Sequence, residues 1–254
     1  MKKALVTGKR RDGNLVEFVC KCPEIAKSAV PGQFVMISVS TTLDPFLNRP
    51  LGILWAEGDY FSVLFEIVGR GTSLLAQLEK GDTLSLLGPL GNGYSLDVPR
   101  ALLLAGGRGI VTLHFLARTL KEIGISISML FGIQNRSEIV LSRYMVNCAK
   151  GVQRFCCEEE ISGVFQGTIV DALEDYATVQ TIPEGTGVFA CGPEGMLRAL
   201  ARHPLLENHR VEVSLEAVMG CGFGVCLSCA HKGRDGYLHV CSEGPVFPLS
   251  EVAW

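Results

Sequence analysis

The chain has 254 residues, a formal net charge of −3 and a pI near 6.0, so it lacks the basic surplus that nucleic-acid binding needs. No apolar run approaches the roughly 18 residues of a spanning helix, and Ala4-Leu5-Val6 after Lys2-Lys3 is too short for a signal peptide. Hydrophobic residues make up 48% and mean hydropathy is +0.30, which either fills two cores or leaves an apolar face for a partner subunit.

Residues 1–98 read as short strands between turn signals, as in a small antiparallel barrel. Leu15–Val19 follows the Asp12-Gly13-Asn14 turn, Gln33–Val39 follows Pro31-Gly32, and Tyr60–Val68 follows Glu57-Gly58-Asp59. A helical stretch from Thr72 to Leu78 precedes the Lys80-Gly81-Asp82 turn and a strand through Leu87. The pattern changes near Pro99. Ala101–Ala105 is a continuous apolar run ended by glycine, as expected of a buried parallel strand. A helix to about Ile123, strands at 126–131, 152–157 and 187–191, and helices at 168–176 and 194–202 complete a doubly wound α/β pattern over 99–210. Residues 211–254 hold most of the remaining chemistry as a small third module.

In the barrel, Arg49-Pro50-Leu51-Gly52 opens a strand, and a planar guanidinium there can clamp a phosphate. Glu66-Ile67-Val68-Gly69-Arg70-Gly71-Thr72 runs into a helix, so it is either an anion site of backbone N–H groups or simply a capped turn. Gly88-Pro89-Leu90-Gly91-Asn92-Gly93 is a glycine-dense junction that would admit a flat cofactor or serve as a linker. Gly106, Gly107 and Gly109 end the first strand of the α/β segment, and Cys191-Gly192-Pro193 ends a later one. Two glycine-bearing strand ends in one parallel sheet point to a nucleotide crevice.

Cys221, Cys226, Cys229 and Cys241 are spaced C-x4-C-x2-C-x11-C within a stretch carrying Gly220, Gly222 and Gly224. A C-x4-C-x2-C run with a distant fourth cysteine suits a [2Fe–2S] cluster; structural zinc, which favours paired short-spaced knuckles, is the competing chemistry. Cys20, Cys22, Cys156 and Cys157 read as core fillers, Cys148 carries no signal, and the five histidines show no metal spacing. Thiols kept reduced and free for metal fit a cytoplasmic protein.

Barrel, nucleotide sheet and cysteine tail in this order resemble the ferredoxin–NADP reductase superfamily, through RP-x-x, G-x-G-T, GPLGNG, AGG-x-G and CGP-x-x-M. The tail, Glu216-Ala217-Val218-Met219-Gly220-Cys221 onward with Cys241-Ser242-Glu243-Gly244-Pro245-Val246-Phe247, is similar to that of class 1B dihydroorotate dehydrogenase electron-transfer subunits. The resemblance implies three domains: an FAD barrel at 1–98, an NAD-binding α/β domain at 99–210 and a [2Fe–2S] module at 211–254. It implies FAD on Arg49, Pro50, Leu51 and Gly52, on Glu66, Ile67 and Val68, and at Gly71 and Thr72. It implies NAD at Gly106, Gly107, Gly109, Cys191, Gly192 and Pro193, and the cluster on the four tail cysteines. It also implies a separate FMN-bearing catalytic subunit oxidising dihydroorotate, in a heterotetramer of two of each chain, with no catalytic base in this one. Three positions depart from the pattern. Gly52 stands where serine or threonine is usual, Arg108 replaces an apolar residue, and Val111-Thr112-Leu113 replaces a proline-containing segment. An alternative reading keeps the fold and changes the complex, to an NADH-dependent ferredoxin:NADP oxidoreductase, a sulfite reductase or a hydrogenase. A third is a zinc-bearing regulatory subunit.

Overall fold

The computed structural model describes residues 1–40, 42, 44–146 and 151–254, so Cys148 lies outside the described residues. The contacts divide the chain into two compact units. The first comprises Met1–Gly93, Glu216–His231 and Leu238–Pro245; the second comprises Tyr94–Leu215, Lys232–Tyr237 and Val246–Trp254. The tail expected as a third module is thus shared between them.

The first unit is built on β1 (Lys2–Asp12), β2 (Leu15–Lys21), β3 (Phe34–Ile37), β4 (Arg49–Glu57), β5 (Tyr60–Glu66) and β6 (Thr83–Leu90). They close an antiparallel barrel in the order β1-β2-β5-β4-β3-β6. Strand β2 shows why the sequence does this: Val16, Phe18 and Cys20 alternate with exposed or half-exposed neighbours and are fully buried. Phe18 meets Phe65 of β5 edge-to-face with ring centroids 5.4 Å apart. Burying one such ring contributes roughly 1.5–3 kcal/mol. Short helices α1 (Pro23–Ala26) and α2 (Arg70–Leu75) fill the connections. Cys22 precedes α1 and is buried like Cys20; burial is also what raises the Cys20 thiol to about 12.

The second unit carries β7 (Arg100–Gly106), α3 (Ile110–Glu122), β8 (Ser126–Ile133), α4 (Ser142–Val146), β9 (Gln153–Cys157), β10 (Phe165–Gln166), α5 (Ile169–Val179), β11 (Gly187–Cys191), α6 (Glu194–Leu200) and β12 (Arg210–Ser214). Beyond β12 come β13 (Ala230–Gly233) and β14 (Gly236–His239), paired as a hairpin, and β15 (Val246–Pro248). The main sheet runs β10-β9-β8-β7-β11-β12-β15. All its neighbours are parallel except β15, which pairs antiparallel with β12 in the register Ser214↔Val246 to Glu212↔Pro248. Every residue of β11 is buried, as is all of β7 after Arg100, because helices cover the sheet. Helix α5 shows the matching period, burying Ile169, Ala172, Leu173 and Tyr176 on one stripe. Its amino end is capped by Thr168, whose Oγ1 accepts from the Asp171 amide at 3.3 Å while Asp171 accepts from the Thr168 amide at 2.7 Å. No helix among the described residues is long and apolar enough to cross a membrane.

Candidate cofactor sites

The sheet order reverses between β7 and β11. The chain runs from β7 outward through β8 and β9, then returns to β11 on the other flank. Such a switch point leaves a crevice beyond the carboxyl ends of the two strands. Ala105 of β7 is in register with Cys191 of β11 there, so the two sequence motifs meet. Gly106, Gly107 and Gly109 form the end of β7 and a 3-10 turn, and Cys191, Gly192 and Pro193 end β11 and lead into α6. The contact is between main chains. A Cβ at Gly109 would overlap the Cys191 carbonyl and lie 2.8 Å from the Gly192 amide nitrogen. Added at Gly106 or Gly192, one would come within 2.6 Å or 2.7 Å of the Met196 side chain. The 13-residue helix α3 begins at this point, which puts its amino-terminal turn, an anion-favouring feature, at the end of β7. Arg108 is exposed within the turn. Beneath Cys191, Tyr94 is 6% exposed and packs edge-to-face on Phe189 with centroids 5.7 Å apart. Burial first, and then the neighbouring Cys191, push its phenol well above the ordinary range.

In the barrel, the two expected flavin motifs also converge. Arg49, Pro50, Leu51 and Gly52 open β4 and are half-buried, whereas Ile53 and Leu54 just beyond them are fully buried. Glu66 ends β5, Ile67 is half-buried and Val68 is 74% exposed. Gly71 lies under the Arg49 guanidinium so closely that a Cβ would overlap it. Thr72 is buried, and its hydroxyl accepts from the amides of Val68 at 3.0 Å and Gly69 at 3.3 Å. That hydroxyl holds the turn, leaving the guanidinium and the open end of β4 as the groups a bound flavin nucleotide would meet.

The cysteine loop belongs to the same unit as the barrel. Among the described residues, no three His, Cys, Asp or Glu side chains converge as one metal ion requires. The thiols instead form two pairs. Cys226 Sγ accepts from the Cys221 amide at 3.3 Å, and Cys229 Sγ accepts from the Cys241 amide at 3.4 Å. Cysteines coupled two by two agree with a dinuclear iron–sulfur cluster, in which four thiolates hold two irons. Cys221 Sγ collects the amides of Val225 at 3.3 Å and of Phe223 and Cys226 at 3.5 Å; Cys241 Sγ takes that of Gly224 at 3.2 Å. Burial opposes ionisation of Cys221, but these N–H groups outweigh it and bring the thiol down to about 6. Cys241 is 2% exposed, and burial pushes it up to about 11. Gly222 and Gly224 have φ of +83° and +89°, which turns the intervening amides toward sulfur.

Three partners of these sites were not foreseen. Ser228 Oγ accepts from the Gly220 amide at 2.8 Å and lies 3.2 Å from Cys226 Sγ. Its position between Cys226 and Cys229 was the available signal. Met36 of β3 packs where a Gly222 Cβ would project and carries no local signal, whereas Met196, which closes on Gly106 and Gly192, is the methionine of the CGP-x-x-M motif.

A barrel followed by a switch-point sheet with two glycine-lined ends is the fold of the flavin- and nicotinamide-dependent reductases. A ferredoxin NADP+ reductase from Neisseria gonorrhoeae, solved with FAD and NADP, has the same fold at TM-score 0.64 and 18% identity, over 84% of this chain and 98% of that one. An NADH-dependent reduced ferredoxin-NADP oxidoreductase, described for flavin-based electron bifurcation, aligns at TM-score 0.83 and 24% identity over 99% of this chain and 90% of that one. Residues 216–253 match the family model for the iron-sulfur cluster binding domain of dihydroorotate dehydrogenase B. The dihydroorotate dehydrogenase B (NAD(+)) electron transfer subunit of Desulforamulus reducens is 33% identical over 91% of this chain and 90% of its own length. That of Bacillus caldolyticus is 36% identical over 87% and 86%. The chain belongs to the family of dihydroorotate dehydrogenase B electron transfer subunits.

Proposed function

We propose that the chain carries electrons from a dihydroorotate-oxidising catalytic subunit to NAD+, in the service of pyrimidine biosynthesis in the cytoplasm. FAD is held by Arg49, Pro50, Leu51 and Gly52, by Glu66, Ile67 and Val68, and at the Gly71-Thr72 turn. NAD binds at Gly106, Gly107 and Gly109 with Cys191, Gly192 and Pro193, and a [2Fe–2S] cluster sits on Cys221, Cys226, Cys229 and Cys241. When bound, the cluster supplies one-electron transfer and the flavin converts between single electrons and the hydride that NAD+ accepts.

The observation that carries this reading is the paired cysteines on an outward loop. Cys226 is exposed and Cys221 half-buried, whereas Cys229 and Cys241 are buried. The loop's amides keep negative charge on sulfur stable without a charged side chain. Residues 217–230 are uncharged, and Val218, Phe223, Val225 and Leu227 are 79%, 53%, 72% and 54% exposed. An apolar rim around a redox centre fits a stable subunit interface, here with the FMN-bearing catalytic subunit in a complex of two copies of each chain. No general base is assigned to this chain, since removal of protons from carbon belongs to the partner. The near-full-length relatives named as dihydroorotate dehydrogenase subunits favour this complex over the other NAD(P)H-linked ones.

Cys226→Ser tests it. The variant, co-purified with its partner, should keep FAD and its reduction by NADH while dihydroorotate-driven NAD+ reduction falls to background. Full dihydroorotate-driven turnover without iron would overturn the proposed order.

A further inference from the structure

A cavity of about 520 Å3 opens at the amino end of β12, wholly within the second unit. The cofactor crevice lies at the other end of the same strands. Arg210 opens β12, and Ser214, which ends it, is in register with Cys191. Four residue steps separate the two, roughly 13 Å, so the cavity is not an extension of the crevice.

Its walls combine two chemistries. Pro248, Leu249 and the Trp254 indole form an apolar side, while Arg202, Arg210, Arg234 and His209 bring polar groups to the same space. Arg210 is already paired with Glu212 at 2.8 Å. Neither Arg202 nor Arg234 has an acidic side-chain partner among the described residues, and Glu207 is the one acidic side chain in the lining. The Arg234 amide donates to the Glu251 carbonyl at 2.9 Å, which fixes its backbone beside the cavity. His209 Nδ1 is buried with no hydrogen-bond partner, a state that costs free energy unless a ligand or water satisfies it. The neighbouring His203 accepts from the Leu205 amide through Nδ1 at 3.3 Å, and its Nε2, also without a hydrogen bond, lies 3.5 Å from Glu174.

Two guanidinium groups without acidic side-chain partners match a dianionic phosphate, which they bind through paired N–H donors. The indole and its apolar neighbours match a flat ring, and the orphaned imidazole nitrogen matches a hydroxyl or ring N–H. The volume falls within the usual range of small-molecule sites, roughly 300–1,000 Å3. We propose that this cavity is a second ligand site, one that takes a ribonucleoside 5′-monophosphate. The phosphate lies at Arg202 and Arg234, and the base lies against Trp254. Free phosphate alone would leave the apolar wall and His209 unmatched.

The chain has two tryptophans, Trp55 and Trp254, so Trp55→Phe makes the cavity's indole the sole tryptophan reporter. Titrating that holoprotein with uridine 5′-monophosphate should quench its fluorescence saturably below roughly 1 mM. Calorimetry on the unsubstituted holoprotein should give the same affinity. Uridine should bind at least about tenfold more weakly, as should the nucleotide to Arg202→Ala or Arg234→Ala, since each change removes charge-assisted bonds. Arg202→Lys should recover part of the loss, and flavin reduction by NADH should not change in any variant. No saturable signal, or inorganic phosphate binding as tightly as the nucleotide, would overturn the assignment. So would simple competition with NADH, which would place the probe in the crevice.

Discussion

The nucleotide crevice and the cysteine loop both depend on glycine, but for opposite physical reasons. At the crevice, Gly106, Gly109 and Gly192 have ordinary backbone angles and are glycine because a side chain has nowhere to go. The obstacle at Gly109 is the main chain of Cys191, held in register by the sheet. In the loop, Gly222 and Gly224 are glycine because φ is positive, and what lies beside them is side chain: Met36 for Gly222, Ser242 for Gly224. One site is a gap between rigid strands. The other is a set of N–H directions maintained by a loop of positive-φ glycines. At the first an added atom meets main chain, whereas at the second it meets side chains and the peptide orientation is what has to be kept.

Substitution can break or sharpen that contrast. The largest effect is expected for Gly109→Ala, whose Cβ meets backbone that cannot move without disturbing β11. Overpacking of this kind costs about 2–3 kcal/mol, or a fall in Tm of roughly 5–10 °C for a unit of this size, with loss of NADH binding and retention of iron. Calorimetric melting and NADH titration check it, and an unchanged Tm would mean the close approach is not a constraint. Gly222→Ala should cost less, about 1–2 kcal/mol for the left-handed conformation plus crowding, and should lower iron content while FAD stays bound. Pairing it with Met36→Ala should restore part of the iron, because the crowding is then removed and what remains is the φ penalty together with the cavity left by the buried Met36. Full restoration would show that φ hardly matters there, and the contrast would fail. The smallest effect is expected at Leu227, a non-glycine residue with φ of +58° in the same loop. Leu227→Gly relieves about 1–2 kcal/mol of strain and adds somewhat under 1 kcal/mol of unfolded-state entropy. The metal-free protein should gain about half a kcal/mol in denaturant melts.

Much of this was legible in the sequence because it was local. The run Gly187–Cys191 is a strand as expected, and Ser126–Ile133 and Gln153–Cys157 differ from the expected spans only at their ends. The alternation in Leu15–Lys21 and the stripe in Ile169–Val179 mark which face is buried. Strand β1 was harder to see: Lys9-Arg10-Arg11 lie on exposed or half-exposed positions and hide an 11-residue strand behind a charged run. Helix α1 has only four residues and no period to read. What depends on distant partners was not legible at all. Nothing near Gly109 announces the carbonyl of Cys191, and nothing near Gly222 announces Met36. Likewise, Arg202, Arg234 and Trp254 come together through the pairing of β12 with β15 and the bridge from Gly233 to Val252. The cysteine spacing left zinc open, and it is the match of residues 216–253 to an iron-sulfur cluster binding domain that separates the two chemistries.

The register between Ser214 and Val246 has a consequence for how such a protein can be assembled. These two residues face each other across an antiparallel ladder, so their Cα atoms lie only about 5 Å apart. Everything between them, the redox loop included, is a cassette inserted where an ordinary hairpin turn would close the edge of the sheet. A two-residue Asn-Gly connection can bridge that gap, so replacing residues 215–245 with one leaves every strand order in the sheet unchanged. The same arithmetic works in reverse. A nicotinamide reductase with a plain hairpin at this edge needs a single insertion, and no rearrangement of its core, to acquire a one-electron port.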